Sequence, residues 1–268
     1  MEHTDPSLVQ PVRSVRFQSF HIVLALVLRE AGARFGRSTG GYIWAFAEPI
    51  AGILLLSVAF SYLLRSPPIG DSFFLFYASG VVPLLFFNSV SGQLALAVAA
   101  NRGLLVYPVV SVLDVIVARL LLETVTYFAV FGVIISAILY IEPIDLQSDL
   151  LVIFTGLAIT ALFGAAAGMV NCLLFLWFPV WRSIWRIITR PLLIISGVLF
   201  TYRDIPPEIR EWLWFNPLLQ AVGVVRDGLY ISYEADYVSW VYLSVTCLSI
   251  ITGSLVLIRL NESRLIQQ

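Results

Sequence analysis

The chain has 268 residues, 59% apolar, 13% aromatic and only 12% charged, with 16 basic against 17 acidic side chains. Its mean hydropathy of +0.91 excludes a surface built for water, because soluble domains carry roughly 25% charged residues. All 16 basic residues are arginines, so a phosphate-binding loop ending in lysine and Schiff-base catalysis are both excluded.

The only histidines, His3 and His21, fall in the polar N-terminal region. No histidine triad or metal cluster within the membrane is therefore expected, and no catalytic residue is assigned. Cys172 and Cys247 sit inside apolar runs and read as small buried hydrophobes. Residues 1–16 hold no long apolar stretch, and the next one is interrupted by Arg29, Glu30, Arg34 and Arg37, which argues against a cleavable signal peptide.

In residues 17–37, apolar side chains at 20, 23, 24, 27, 28, 31 and 35 approximate one helical face. That pattern predicts a helix lying in the membrane interface. The alternative, one long helix continuing into the first span, has Gly40-Gly41 against it. Five segments, 42–64, 73–99, 115–141, 150–178 and 238–258, meet the requirement of about 20 mostly apolar residues for a crossing. A sixth, 187–202, is shorter and follows Arg186 and Arg190; it crosses if those arginines snorkel to the interface.

Arginine should concentrate in the cytoplasm. With the N-terminus inside, six spans leave only Arg65, Arg203, Arg210 and Arg226 outside, whereas five or seven would also put Arg259 and Arg264 there. The expectation is an all-α membrane protein with six transmembrane helices and both termini cytoplasmic. Its units are a cytoplasmic N-terminus with the interface helix (1–39), a transmembrane domain (40–260) and a C-terminal tail (261–268).

The loop 100–113 is too apolar for a solvated turn and too short to span, so it reads as a short helix against something at the cytoplasmic face. Trp177 to Arg186 mixes tryptophan with arginine as an interfacial anchor does. Between the last two spans, Pro206-Pro207 and Asn216-Pro217 break an apolar piece from Trp212 to Val225, which predicts two short re-entrant helices. Gly156, Thr160, Gly164 and Gly168 recur every four residues as a small-residue ridge for close helix packing.

Charges near or inside spans cost about 2.5–3.5 kcal/mol on insertion scales, so Glu48, Asp114, Arg119 and Glu123 each need an explanation. Arg119 and Glu123 stand four residues apart on one helical face and can neutralise one another. Glu48 has no partner in its own helix; it pairs with an arginine elsewhere or caps a neighbouring helix. Aromatic rings such as Tyr42, Trp44, Phe46 and Tyr77 suit either interfacial belts or a path for sugar rings.

Several strings occur in a telling order: Arg29 to Gly36 (REAGARFG), Gly41 to Pro49 (GYIWAFAEP), Asn101 to Pro108 (NRGLLVYP), Leu113 to Glu123 (LDVIVARLLLE) and Asn216 to Arg226 (NPLLQAVGVVR). Together they resemble the permease subunits of ABC-2 type exporters, and within these the exporters of capsular polysaccharide in Gram-negative bacteria. The resemblance runs from about residue 17 to 260.

It implies a homodimer in the bacterial inner membrane, above a cytoplasmic ATPase dimer that holds ATP and Mg, with no cofactor on this chain. A periplasmic co-polymerase or export protein and a lipid-linked polysaccharide would complete the system, with no role for nucleic acid. The resemblance also places coupling to the ATPase on Arg29, Arg34, Asn101, Arg102, Leu104, Leu105 and Tyr107, and the glycan path on Tyr42, Trp44, Phe46 and Tyr77. It leaves Glu48, Arg119 and Glu123 as structural charges. The same architecture exporting O-antigen, teichoic acid or a small drug is the alternative. A membrane enzyme acting on lipid-linked sugars would want an acid/base or metal set such as D-x-D, and a secondary transporter would want an internal repeat; neither is present in the sequence.

Overall fold

A computed structural model describes residues 15–35, 41–106, 109–142, 144 and 148–261. Among these residues every regular element is helical. The first helix, α1, spans Val15–Phe35 and packs along α6, Val112–Ile141. Its contact face runs through Ile22, Val23, Leu26 and Val27, while Phe20, Leu24 and Leu28 stay exposed. The expected apolar stripe is therefore divided between protein contact and open surface.

Among the described residues, five helices are long and apolar enough to cross a membrane: α2 (Gly41–Leu63), α3 (Phe73–Ala95), α6, α7 (Leu150–Trp177) and α12 (Trp240–Leu260). Short polar side chains fix where several of them start. Ser72 accepts a hydrogen bond from the Leu75 amide, Asp149 from those of Leu151 and Val152, and Ser239 from that of Tyr242. Each satisfies an amide that the first turn leaves without a partner. Asp114, counted above as a costly charge, completes a capping box with Ser111 at the start of α6. It thus stabilises the helix end where it sits.

The sixth expected crossing is not one long helix. Residues 187–202 divide between the end of α8 (Trp181–Thr189), α9 (Leu192–Ile195), a left-handed turn at Gly197 (φ +72) and a 3-10 turn at Tyr202–Asp204. Pro191 lacks the amide that would continue the ladder, and the conformation at Gly197 is one that side chains resist.

The central helix is α3, buried without interruption from Leu75 to Leu84. It packs most closely on α7, where the small-residue ridge does what its spacing implies. Gly164 and Gly168 lie against Val90 and Leu94 of α3, so closely that a Cβ at either would sit within 3.0 Å of them. Gly156 makes the same close approach to Val225 of α11 (Pro217–Leu229). Two four-residue helices, α4 (Ala97–Ala100) and α5 (Arg102–Leu105), follow α3.

At the opposite end of the bundle, α10 (Pro207–Trp214) turns at Asn216-Pro217 into α11. Asn216 caps the new helix through the Leu218 amide, and Pro217 takes a first-turn position where no amide is needed. All but two residues of α11 are buried, and its last turn meets the start of α7 through the Asp149 amide on the Gly228 carbonyl (2.9 Å).

Candidate functional site

A polar cluster sits where α3 gives way to α4 and α5. Glu30 of α1 reaches across to Arg119 of α6: Glu30 Oε1 accepts from Arg119 Nη2 at 3.1 Å and Nε at 3.3 Å. Arg119 Nη1 donates to the Gln93 carbonyl of α3 at 2.8 Å. Asn101, buried between α4 and α5, donates from Nδ2 to Glu30 Oε1 (2.8 Å) and the Ala97 carbonyl (3.1 Å). Its Oδ1 accepts from Arg29 Nη1 at 2.8 Å. One turn along α6, Glu123 accepts from Ser89 Oγ of α3 at 2.7 Å.

Helices α1, α3 and α6 and the Asn101 link between α4 and α5 are therefore tied by charge-assisted bonds, which are about twice as strong as neutral ones. What the cluster can do is keep α1, the α4–α5 loop, α3 and α6 in one register, so that a push on the loop moves the helices with it.

A second buried cation lies toward the other end. Arg226 of α11 is 1% exposed and donates to Ser79 Oγ (3.2 Å) and the carbonyls of Phe200 (3.0 Å) and Val198 (3.3 Å). Its guanidinium lies 4.3 Å from the Phe76 ring centre, a cation–π contact. It fastens α11 to α3 and to the irregular segment after α9.

The sequence pattern of ABC-2 type transporters matches residues 22–230, which take in both clusters. The chain belongs to the ABC-2 type transporter family. It is 31% identical over 246 residues to the polysialic acid transport protein KpsM of Escherichia coli, covering 91% of this chain and 95% of that protein. It is 24% identical to the capsule polysaccharide export inner-membrane protein CtrC of Neisseria meningitidis serogroup A, over 90% of this chain and 91% of that one. With BexB of Haemophilus influenzae, another protein of that description, identity is 27% over 89% and 90%.

In this ABC-2 permease the residues expected to couple to an ATPase do not form one exposed patch. Arg29 and Asn101 join the cluster, Arg102 lines a neighbouring cavity, Leu104 is half-buried and Leu105 is 6% exposed in the protomer's own core. Among the described residues, Val106 and Val109 are the exposed large apolar side chains of this loop, at 73% and 54%. Tyr107 and the side chain of Arg34 lie outside the described residues.

The aromatic candidates separate in the same way. Trp44 is 70% exposed, Phe46 is half-buried against the core, and Tyr77 is fully buried between Phe60 and Phe76. The Tyr42 side chain is outside the described residues. Glu48 is on the exposed side of α2. The sequence reading passed over Glu30 as a partner, although position 30 follows 23, 26 and 27 on the packed face of α1. It also passed over Arg226, whose place at the end of the apolar run 217–225 was itself a signal that a buried charge needed partners.

Proposed function

We propose that this chain is the membrane permease of an ATP-driven exporter that moves lipid-linked capsular polysaccharide across the inner membrane. The observation that carries the reading is its 31% identity to a polysialic acid transport protein over 91% of the chain. In this reading the permease is a homodimer, and ATP and Mg bind a separate cytoplasmic ATPase dimer beneath it. A periplasmic export protein receives the glycan. The broken segment 187–202 supplies the sixth crossing, α10 and α11 form a re-entrant hairpin from outside, and both termini face the cytoplasm.

The cluster around Glu30, Asn101 and Arg119 then lies at the cytoplasmic end. It carries movement of the α4–α5 loop, driven by the ATPase, into α1, α3 and α6. Trp44, an exposed ring on α2, faces the path that the glycan takes between protomers.

The test is complementation. Expressed with its ATPase in a capsule-producing strain that lacks its own permease, the chain should restore surface polysaccharide. Trp44→Ala should reach the membrane at the parent's abundance, keep ATP hydrolysis and export much less. Intracellular accumulation of glycolipid despite normal amounts of both subunits would refute the export reading, and a loss that merely tracks abundance would remove Trp44 from the path.

A further inference from the structure

A groove of about 250 Å³ opens between α2, α3 and α6, in the half of the bundle away from the α4–α5 loop. Ile50, Ile53 and Leu54 of α2 form one wall and Phe74 of α3 adjoins it, while α6 supplies the other wall from Val133 to Ile141. That stretch of α6 is about 12 Å long at 1.5 Å per residue, close to the roughly 15 Å of hydrocarbon in one leaflet. Every lining side chain is apolar except that of Glu142, which stands where α6 ends.

The charge around Glu142 is one-sided. Its backbone amide donates to the Ile138 carbonyl at 2.8 Å, which holds the residue on the last turn of α6. Its Oε2 is buried and has no hydrogen-bond partner among the described residues, a costly state for a carboxylate oxygen. The helix itself adds to the demand, because a helix C-terminus carries partial negative charge and favours a cation. Yet the last turn of this 30-residue helix has no basic side chain, its cap is an acid, and no basic side chain lines the groove. Carboxylate and helix end thus call for the same thing, a cation that brings N–H donors. Beside them Tyr140 and Ile141 are 90% and 74% exposed, the aromatic and apolar mix of a helix leaving the hydrocarbon at headgroup level.

We infer that this groove holds a membrane lipid with a primary ammonium headgroup, of the phosphatidylethanolamine class. Its ammonium sits on the Glu142 carboxylate, its phosphate faces outward into water, and one acyl chain lies along α6. A primary ammonium has three N–H donors and forms charge-assisted bonds to a carboxylate. The quaternary ammonium of a choline lipid has no N–H to give Oε2, and an anionic headgroup would meet a like charge. A soluble amine would leave the apolar walls uncovered. A second copy of this chain, which lacks lysine, has no ammonium side chain to offer. The inference does not depend on the identity of the exported cargo.

The test uses the full-length protein in neutral detergent. It is titrated with phosphatidylethanolamine, phosphatidylcholine or phosphatidylglycerol of identical acyl chains, or with free ethanolamine, and followed by native mass spectrometry and thermal unfolding. Phosphatidylethanolamine should be retained and raise the unfolding midpoint, and the other two lipids should bind roughly tenfold more weakly, the worth of one charge-assisted bond. Glu142→Gln keeps the shape of the side chain and should bring phosphatidylethanolamine down to the level of phosphatidylcholine. Ala137→Phe leaves the carboxylate intact but fills the groove from an exposed position, and should lower retention of phosphatidylethanolamine as well. Glu208→Gln, at an exposed acid of α10, should bind as the parent does. Equal retention of phosphatidylethanolamine and phosphatidylcholine, unchanged affinity in Glu142→Gln, or an equal loss in Glu208→Gln overturns the site. A midpoint shift from ethanolamine equal to that from the lipid, and lost in Glu142→Gln, overturns the lipid assignment in favour of a soluble cation. A change of oligomeric mass in Ala137→Phe with lipid binding unchanged overturns it in favour of a second copy of the chain.

Discussion

The ion pair between α1 and α6 permits a quantitative test of the joint at the loop end. Glu30→Gln keeps the shape of the side chain but leaves Arg119, whose side chain is 9% exposed, without its carboxylate. Breaking a buried pair in this way costs about 3–5 kcal/mol. The Glu30 side chain is 18% exposed and water relieves part of the loss, so the lower end, about 3 kcal/mol, is expected. Arg119→Met should cost a similar amount by stranding Glu30 and freeing the Gln93 carbonyl. The double variant strands no charge, so it should lose less than the sum of the two by about 2 kcal/mol. The assay is equilibrium unfolding of the purified chain in mixed micelles with rising dodecyl sulfate, followed by tryptophan fluorescence. If the two losses add to within about 0.5 kcal/mol, the pair is not an energetic unit and cannot be the joint that transmits loop movement.

The α3–α7 contact predicts opposite signs for one kind of substitution at two glycines. A Cβ at Gly168 would sit 2.7 Å from Leu94 Cβ and 3.0 Å from the Ser91 carbonyl, which should cost about 1–3 kcal/mol. At Gly132 nothing lies within 4 Å, so Gly132→Ala should gain up to about 1 kcal/mol of helix propensity; unfolding midpoints in detergent that do not fall in this order would refute the close packing. Tyr77 has a buried hydroxyl with no hydrogen-bond partner among the described residues. Tyr77→Phe should therefore hold or raise stability by about 1 kcal/mol and leave export unchanged, whereas lost export at normal abundance would return Tyr77 to the glycan path. On the α4–α5 loop, Leu105→Asp should lower the amount of folded protein because Leu105 lies in the core. Val106→Asp, on a side chain 73% exposed, should leave abundance unchanged and reduce ATPase association in pull-down; the reverse pattern would exchange their roles.

Much of the fold was legible along the chain. Five of the six expected spans form long helices within a few residues of their expected bounds, because a run of about 20 apolar residues has few ways to satisfy its backbone other than a helix across the bilayer. The ridge from Gly156 to Gly168 was legible for a related reason: small residues four apart share a face whatever packs on it. The interruption around Pro191 and Gly197 was less so, since hydropathy measures how apolar a segment is and not whether its amides continue a ladder.

What the sequence by itself determined is the class of molecule: an apolar, lysine-free helical membrane chain bearing strings that resemble an ABC-2 permease. Tertiary structure alone decided the partners. Arg119 and Glu123, four residues apart, read as a self-contained pair, yet Arg119 bonds to Glu30, 89 positions away, and Glu123 accepts from Ser89 on α3. Likewise Leu105 and Val106 are adjacent apolar residues that fold to opposite fates, one in the core and one in the open. The physical reason is the same in both cases. Periodicity fixes which residues share a face of one helix, but the partner that meets a buried charge, and the side of a short irregular loop that faces inward, depend on how separate helices pack in space.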